Sequence, residues 1–412
     1  MKNWQIKASL FLNYFVFAIL LNSVGTVILQ VQNSYGVSPG SASVLEAFKD
    51  LSIAIVSFLL ASYITRLGYK NSMLAALALV TVVCFIVPFV PEFWATKMLF
   101  AAVGASFALI KMSVYSTIGL VTKDEKEHIS LMNFIESFFM VGITAGYFIF
   151  SAFVDDANPK STAWLNVYYL LGALSLVAFL LLVTAPLDES DAKSPEDGSS
   201  FAPDFGQMFR LLAAPLVLVF VLCAFFYVLI EQSIMSWLPT YNQEVLRLPT
   251  SLSIQMAGIL SISTGLGRLL AGIVFRRINW YIALTSCLLI AAALVVLAIP
   301  LASGASAGTA TGWGSAPIAA YIFPLIGLFL APIYPTINSI ILSSLPKQQH
   351  GIMSGLIIVF SALGGTTGSI ITGNIFGKLG GQTAFYFSLV PIGILLVGLF
   401  FFKRLQGKTG VE

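Results

Sequence analysis

Long apolar runs, each about as long as a membrane is thick and divided by short polar turns, dominate this chain of 412 residues. Crossing about 30 Å of hydrocarbon as a helix takes roughly 20 residues, at 1.5 Å of rise for each. The pattern predicts twelve spans, at residues 8–31, 42–65, 72–90, 94–119, 130–154, 163–185, 211–238, 251–274, 280–300, 317–343, 351–377 and 384–402. The runs lack the short segments of alternating polarity that mark the strands of a membrane barrel. The expected fold class is therefore an all-α membrane protein. The first run is followed by Gln30, Gln32 and Asn33 rather than by a small-residue cleavage site, so it reads as the first membrane helix and not as a leader.

The one long polar stretch, residues 186–209, is rich in Asp, Glu, Ser and Pro and has too few apolar residues to pack a core. It reads as a linker on the cytoplasmic side, between an N-terminal bundle at 1–185 and a C-terminal bundle at 210–412, with six helices in each. The two halves echo one another. His128, Gly142 and Gly146 recur at one constant spacing as His350, Gly364 and Gly368, while Asn22 and Pro39 recur at a slightly shorter one as Gln232 and Pro249. Parallel repeats of this kind characterise the major facilitator fold, with a substrate site near the midplane. The glycine pairs at a four-residue spacing suit close helix contact.

Composition and charge narrow the class. A chain that is 58% hydrophobic and 9% charged has too little polar surface for a soluble globule of this size. Basic residues fall mainly on one side of the predicted membrane, including Lys2, Lys7, Arg66, Lys70, Lys123, Lys126, Arg210, Arg276, Arg277, Lys403 and Arg404. The other side holds only Lys97, Lys160, Arg247 and Lys378. This bias predicts that both termini are cytoplasmic, in a bacterial inner membrane, and it accounts for the net charge of +3 without nucleic acid. Cys84, Cys223 and Cys287 lie scattered in apolar segments and read as small core residues. The sequence shows no phosphate-cradling Gly-Lys loop, metal-ligand cluster or nucleophile triad, so no enzyme activity and no cofactor is expected.

The candidate chemistry lies in the charges within the spans. Lys111 stands in the middle of an apolar run, where a lysine costs roughly 2.5–3.5 kcal/mol on insertion scales and must meet a partner or water. Glu136, on the next helix, lies at nearly the same depth, so a Lys111–Glu136 ion pair is expected. Two readings of that pair remain: a static pair fixing helix register, or one that opens when Glu136 takes a proton and frees Lys111 for substrate. On the second helix Glu46, Lys49 and Asp50 sit at i, i+3 and i+4. Glu46 is near the outer end and reads as solvated or gating. Asp50 is either a second proton site or, with Lys49, a charge pair at the outer gate. Arg268 either snorkels to the cytoplasmic surface or points inward. Neutral hydrogen bonds to a solute are available from Tyr14, Asn22, Tyr115, Asn133, Tyr227, Tyr334 and Asn338, each of which also serves as an ordinary packing residue.

Particular stretches then match a family. Phe226-Tyr227-Val228 followed by Glu231 looks like the F-Y-V-x-x-[EQ] of helix 7 in the fucose/proton symporter family of the major facilitator superfamily. Gly267-Arg268 is similar to its G-R pair, Tyr334-Pro335-Thr336-Ile337 to its [YF]-P-T-I, and Gly364, Gly365 and Gly368 to its helix 11 glycines. In helix 5, Asn133, Glu136, Ser137 and Phe138 resemble N-x-x-Q-[ST]-F. The loop Thr65-Arg66-Leu67-Gly68-Tyr69-Lys70 is like a degenerate D-R-x-G-R-K motif lacking its acid, with Arg276-Arg277 as its counterpart after helix 8. The N-terminal half departs from the family: helix 1 has no acid, and Lys111 occupies the helix 4 position where the family has one. The resemblance implies that Glu231 faces the transport pathway as substrate ligand or proton carrier, with Gln232 and the indole face of Trp237 beside it.

The function expected is proton-coupled symport of a small polar organic solute, a sugar or a charged sugar-like metabolite, by a monomer in the lipid bilayer. Sodium stands as the alternative coupling ion. A proton-driven exporter of organic anions or drugs is the alternative function, and a membrane enzyme or receptor is a third class.

Overall fold

The structure, a computed structural model, describes residues 4–60, 64–122, 125–189, 205–274, 277–303, 310, 312–346 and 349–406. Its α-helices in chain order are α1 (Trp4–Asn22), α2 (Val24–Tyr35), α3 (Pro39–Ala42), α4 (Val44–Leu60), α5 (Ile64–Leu67), α6 (Tyr69–Ile86), α7 (Phe93–Val121), α8 (Glu125–Ser151), α9 (Val167–Thr184) and α10 (Phe205–Leu212). They continue as α11 (Pro215–Met235), α12 (Leu238–Glu244), α13 (Thr250–Val274), α14 (Trp280–Ser303), α15 (Ala319–Ile322), α16 (Ile326–Leu330), α17 (Ile333–Ser343), α18 (His350–Leu379), α19 (Gly381–Tyr386) and α20 (Leu389–Gln406). Among the described residues, 11 helical stretches are long and apolar enough to cross a membrane. The chain is thus an all-α, multi-span membrane protein. The remaining predicted span, 42–65, is helical over the 17 residues of α4, and residues 61–63 lie outside the described set.

Side chains explain where helices break. The first predicted span is interrupted at Ser23, where Asn22 Nδ2 donates to the carbonyl of Ala18 at 2.9 Å and Ser23 Oγ to that of Leu20 at 2.8 Å. Such back-bonding competes with the helix ladder and bends it. The span at 317–343 is cut into α15, α16 and α17, with Pro324 and Pro332 at the cuts, since proline lacks the N–H that the ladder needs. Of the stretch read as a linker, 186–209, residues 186–189 are described, 190–204 lie outside the described set, and α10 begins at Phe205.

The chain divides into two compact units. The first comprises Met1–Val24 and Phe48–Ala202, and the second Gly25–Ala47 and Pro203–Glu412. In the first, α1 packs along α8, and α6 along α7 and α9. In the second, α11 packs along α18 and α20. The predicted glycine contacts differ in closeness. A Cβ built on Gly364 would come 2.3 Å from the carbonyl oxygen of Phe225, and one on Gly368 2.4 Å from that of Leu229, so α18 meets α11 backbone to backbone. Gly142 is similarly pressed on Phe15 and Ala18, whereas Gly146 leaves an ordinary 3.4 Å to Ile19.

Candidate functional site

In the first unit, α7 presents Phe107, Lys111 and Tyr115 at a four-residue spacing, which puts them on one stripe. Tyr115 hydroxyl donates to Glu136 Oε1 on α8 at 2.7 Å. The Lys111 ammonium lies 5.9 Å from the centre of the Tyr115 ring and 6.0 Å from that of Phe107, within cation–π range. Tyr14 on α1, 1% exposed, leans on the same ring at 6.2 Å and on Phe139 at 5.6 Å. The two residues expected to pair, Lys111 and Glu136, both meet Tyr115. In the structure a tyrosine one turn beyond the lysine serves the acid with its hydroxyl and the ammonium with its ring.

The second unit holds a counterpart. Tyr227 hydroxyl donates to Glu231 Oε1 at 2.9 Å, one turn further along α11, where helical spacing brings the two side chains to one face. Tyr227, 1% exposed, stacks on Tyr334 of α17 with centroids 5.4 Å apart and planes at 20°. Tyr334 shares a 2.7 Å hydrogen bond with Ser361 of α18 and lies beside Asn338, whose buried Oδ1 has no hydrogen-bond partner among the described residues. The Arg268 guanidinium on α13 is exposed. Each unit therefore holds a tyrosine–glutamate hydrogen bond and a second tyrosine against the first.

The charges on α4 behave differently. Lys49 and Asp50 are 3% and 7% exposed and form an ion pair at 3.4 Å, with the Lys49 carbonyl pressed against Gly104 of α7. Glu46, read as solvated or gating, is fully buried and not solvated. Its Oε2 accepts a 2.7 Å hydrogen bond from Ser236 in the second unit, which also contains Glu46.

Other predicted residues are placed as follows. Trp237 is fully buried, its indole N–H 3.2 Å from Ser369 Oγ and its ring 5.4 Å from Phe376, so its faces meet protein. Asn22 spends its amide on the carbonyl of Ala18. Gln232 is half-buried on α11 next to Glu231. The side chains of Asn133, Thr65, Arg66 and His350 lie outside the described residues, as does Arg276. Sequence reasoning missed Ser361 and Ser369, whose only local signal is a position on the face of α18 that carries the glycines.

The described structure is that of a helical, multi-span protein with a tyrosine–glutamate hydrogen bond in each of its two units. The profile of the Major Facilitator Superfamily matches residues 10–365, and the chain belongs to that superfamily. It is accordingly a secondary transporter of a small organic solute and not an enzyme. Among solved structures, a bacterial homolog of the human lysosomal transporter Spinster superposes with a TM-score of 0.74 at 14% identity, covering 98% of this chain and 97% of that one. The nucleoside transporter NupG gives 0.72 at 15%, covering 97% and 98%. The fucose:proton symporter FucP of E. coli gives 0.60 at 16%, covering 98% and 99%. At these identities the likeness establishes the fold alone. No curated protein matches the sequence.

Proposed function

We propose that this transporter is a proton-coupled symporter of a small polar solute, a sugar or charged sugar-like metabolite, working by alternating access. Its architecture on this reading is twelve spans in two six-helix bundles, 1–185 and 210–412, with both termini in the cytoplasm of a bacterium. Glu136 and Glu231 are the proton sites. The observation that carries this assignment is the nature of their partners: each accepts from a tyrosine hydroxyl, at 2.7 Å and 2.9 Å. A carboxylate accepts a hydrogen bond from a hydroxyl, and a neutral carboxyl group still accepts the same bond through its carbonyl oxygen. Each acid therefore keeps this hydrogen bond in both its charged and its neutral form. Asp50 differs, because it is held in a buried ion pair with Lys49 at 3.4 Å. Asp50 is therefore read as half of a structural ion pair.

Lys111 and Arg268 are read as the cations that meet acidic or hydroxyl groups of the solute. Tyr115, Tyr227, Gln232 and Asn338 set its orientation, and Asn133 and Asn22 are secondary candidates. Glu46 with Ser236 is read as part of the outer gate. The resemblance of the C-terminal motifs to the fucose/proton symporter family supports the sugar class.

The deciding experiment is uptake into proteoliposomes under an imposed pH gradient, inside alkaline, against a panel of sugars, sugar acids and amino sugars. Accumulation that collapses with a protonophore is expected. Accumulation that needs sodium but no pH gradient, or efflux driven by inward protons, would overturn the proton-symport reading.

A further inference from the structure

Helix α6 starts behind Gly68, which has no side chain to cap it and sits at φ +84°. The first N–H groups of a helix have no acceptor within it, and its N-terminus carries positive partial charge. Here the cap comes from 119 residues away: the backbone N–H of Lys70 donates to Glu189 Oε1 at 2.7 Å. The other oxygen, Oε2, lies 2.7 Å from where a Cβ on Gly68 would stand. Glycine alone leaves that room and adopts that φ without strain.

Lys70 acts a second time through its side chain. Its Nζ donates to the carbonyl oxygens of Val183 at 3.0 Å and Ala185 at 2.7 Å, at the end of α9. The last turn of α9 has no basic residue of its own, so Lys70 supplies the cation that this end favours. An anion thus caps the start of α6 and a cation the end of α9, neighbouring helices of the first unit. The chain from Ala185 to Glu189 is pinned at both ends. The loop motif that lacks its own acid receives one from beyond the sixth predicted span.

We propose that Glu189 is a positioning residue for the transport cycle. It fastens the beginning of the polar segment to the α6–α9 end of the first unit, so that this end moves as one body. A bundle that rocks must do so rigidly, and a frayed end lets the motion dissipate in local opening. Only the kinetic consequence rests on the transport reading above; the clamp itself does not.

The test uses the full-length protein in lipid nanodiscs and proteoliposomes, with Glu189→Ala, Glu189→Gln, Gly68→Ala and the Glu189→Ala/Gly68→Ala double variant. The Lys70 amide, second in its helix, has no intrahelical acceptor, so its protection from hydrogen exchange depends on Glu189. Its exchange should accelerate about tenfold in Glu189→Ala and in Gly68→Ala, where the new methyl displaces the carboxylate, and less in Glu189→Gln. Maximal uptake rate should fall about fivefold with KM within about twofold, and the double variant should be no worse than Glu189→Ala. Unchanged Lys70 exchange in both single alanine variants would overturn the clamp. Faster exchange with an unchanged maximal rate would overturn the positioning role. Wild-type protein without gradient-driven flux would defeat the transport reading, and the exchange result would then decide the clamp by itself.

Discussion

Tyr115 and Glu136 are joined by a hydrogen bond of 2.7 Å between the adjacent helices α7 and α8 of the first unit. The lysine one turn back on α7 lies over the face of that same tyrosine. This arrangement separates the work of holding a proton from that of meeting a charged solute, and it makes the two roles distinguishable by substitution.

Glu136→Gln should abolish gradient-driven accumulation while leaving solute exchange between the two sides intact, because the amide cannot release a proton but keeps its acceptor. Tyr115→Phe should retain accumulation but slow it about tenfold, the cost of one lost hydrogen bond to a charged group. Counterflow and pH-driven uptake, measured side by side, check both. Wild-type accumulation in Glu136→Gln would remove this residue from the coupling path.

Lys111→Gln should weaken binding of acidic solutes more than binding of neutral sugars, by about tenfold. A thermal-shift titration with matched pairs, such as a sugar and its uronic acid, reads the difference directly. Equal loss for both members of a pair would make Lys111 a structural cation.

Asp50→Asn should destabilise the protein by about 3–5 kcal/mol, since it removes one partner of a buried ion pair. Replacing both partners, as in Lys49→Met with Asp50→Leu, should recover much of that loss. Unfolding midpoints in mild detergent for the single and double variants give the comparison. A double variant as unstable as Asp50→Asn would show that the site needs its charges.

Gly364→Ala and Gly368→Ala should each lower stability by about 1–3 kcal/mol, because a methyl at 2.3–2.4 Å from a carbonyl oxygen forces α11 and α18 apart. Gly146→Ala, with 3.4 Å to Ile19, should stay within about 0.5 kcal/mol. Thermal unfolding of the three variants orders them, and equal losses would refute the difference in packing.

Much of the fold is legible in the linear chain because bilayer thickness imposes a length on every span and hydrocarbon excludes charge, two constraints that act residue by residue. The apolar runs alone determine an all-helical membrane protein and single out Lys111, Glu136 and Glu231 as costly residues that need a reason. Helical periodicity even places Tyr115 with Lys111 and Tyr227 with Glu231. Partner choice is another matter, since it depends on how helices rotate against one another, and a hydroxyl or an ammonium at similar depth satisfies the same linear pattern. Only tertiary packing decided that Glu136 faces Tyr115, that Trp237 is enclosed by Ser369 and Phe376, and that Glu46 is buried against Ser236. The cap that Glu189 supplies to α6 was likewise invisible, because the two ends it joins lie 119 residues apart and meet only through the antiparallel packing of α6 on α9.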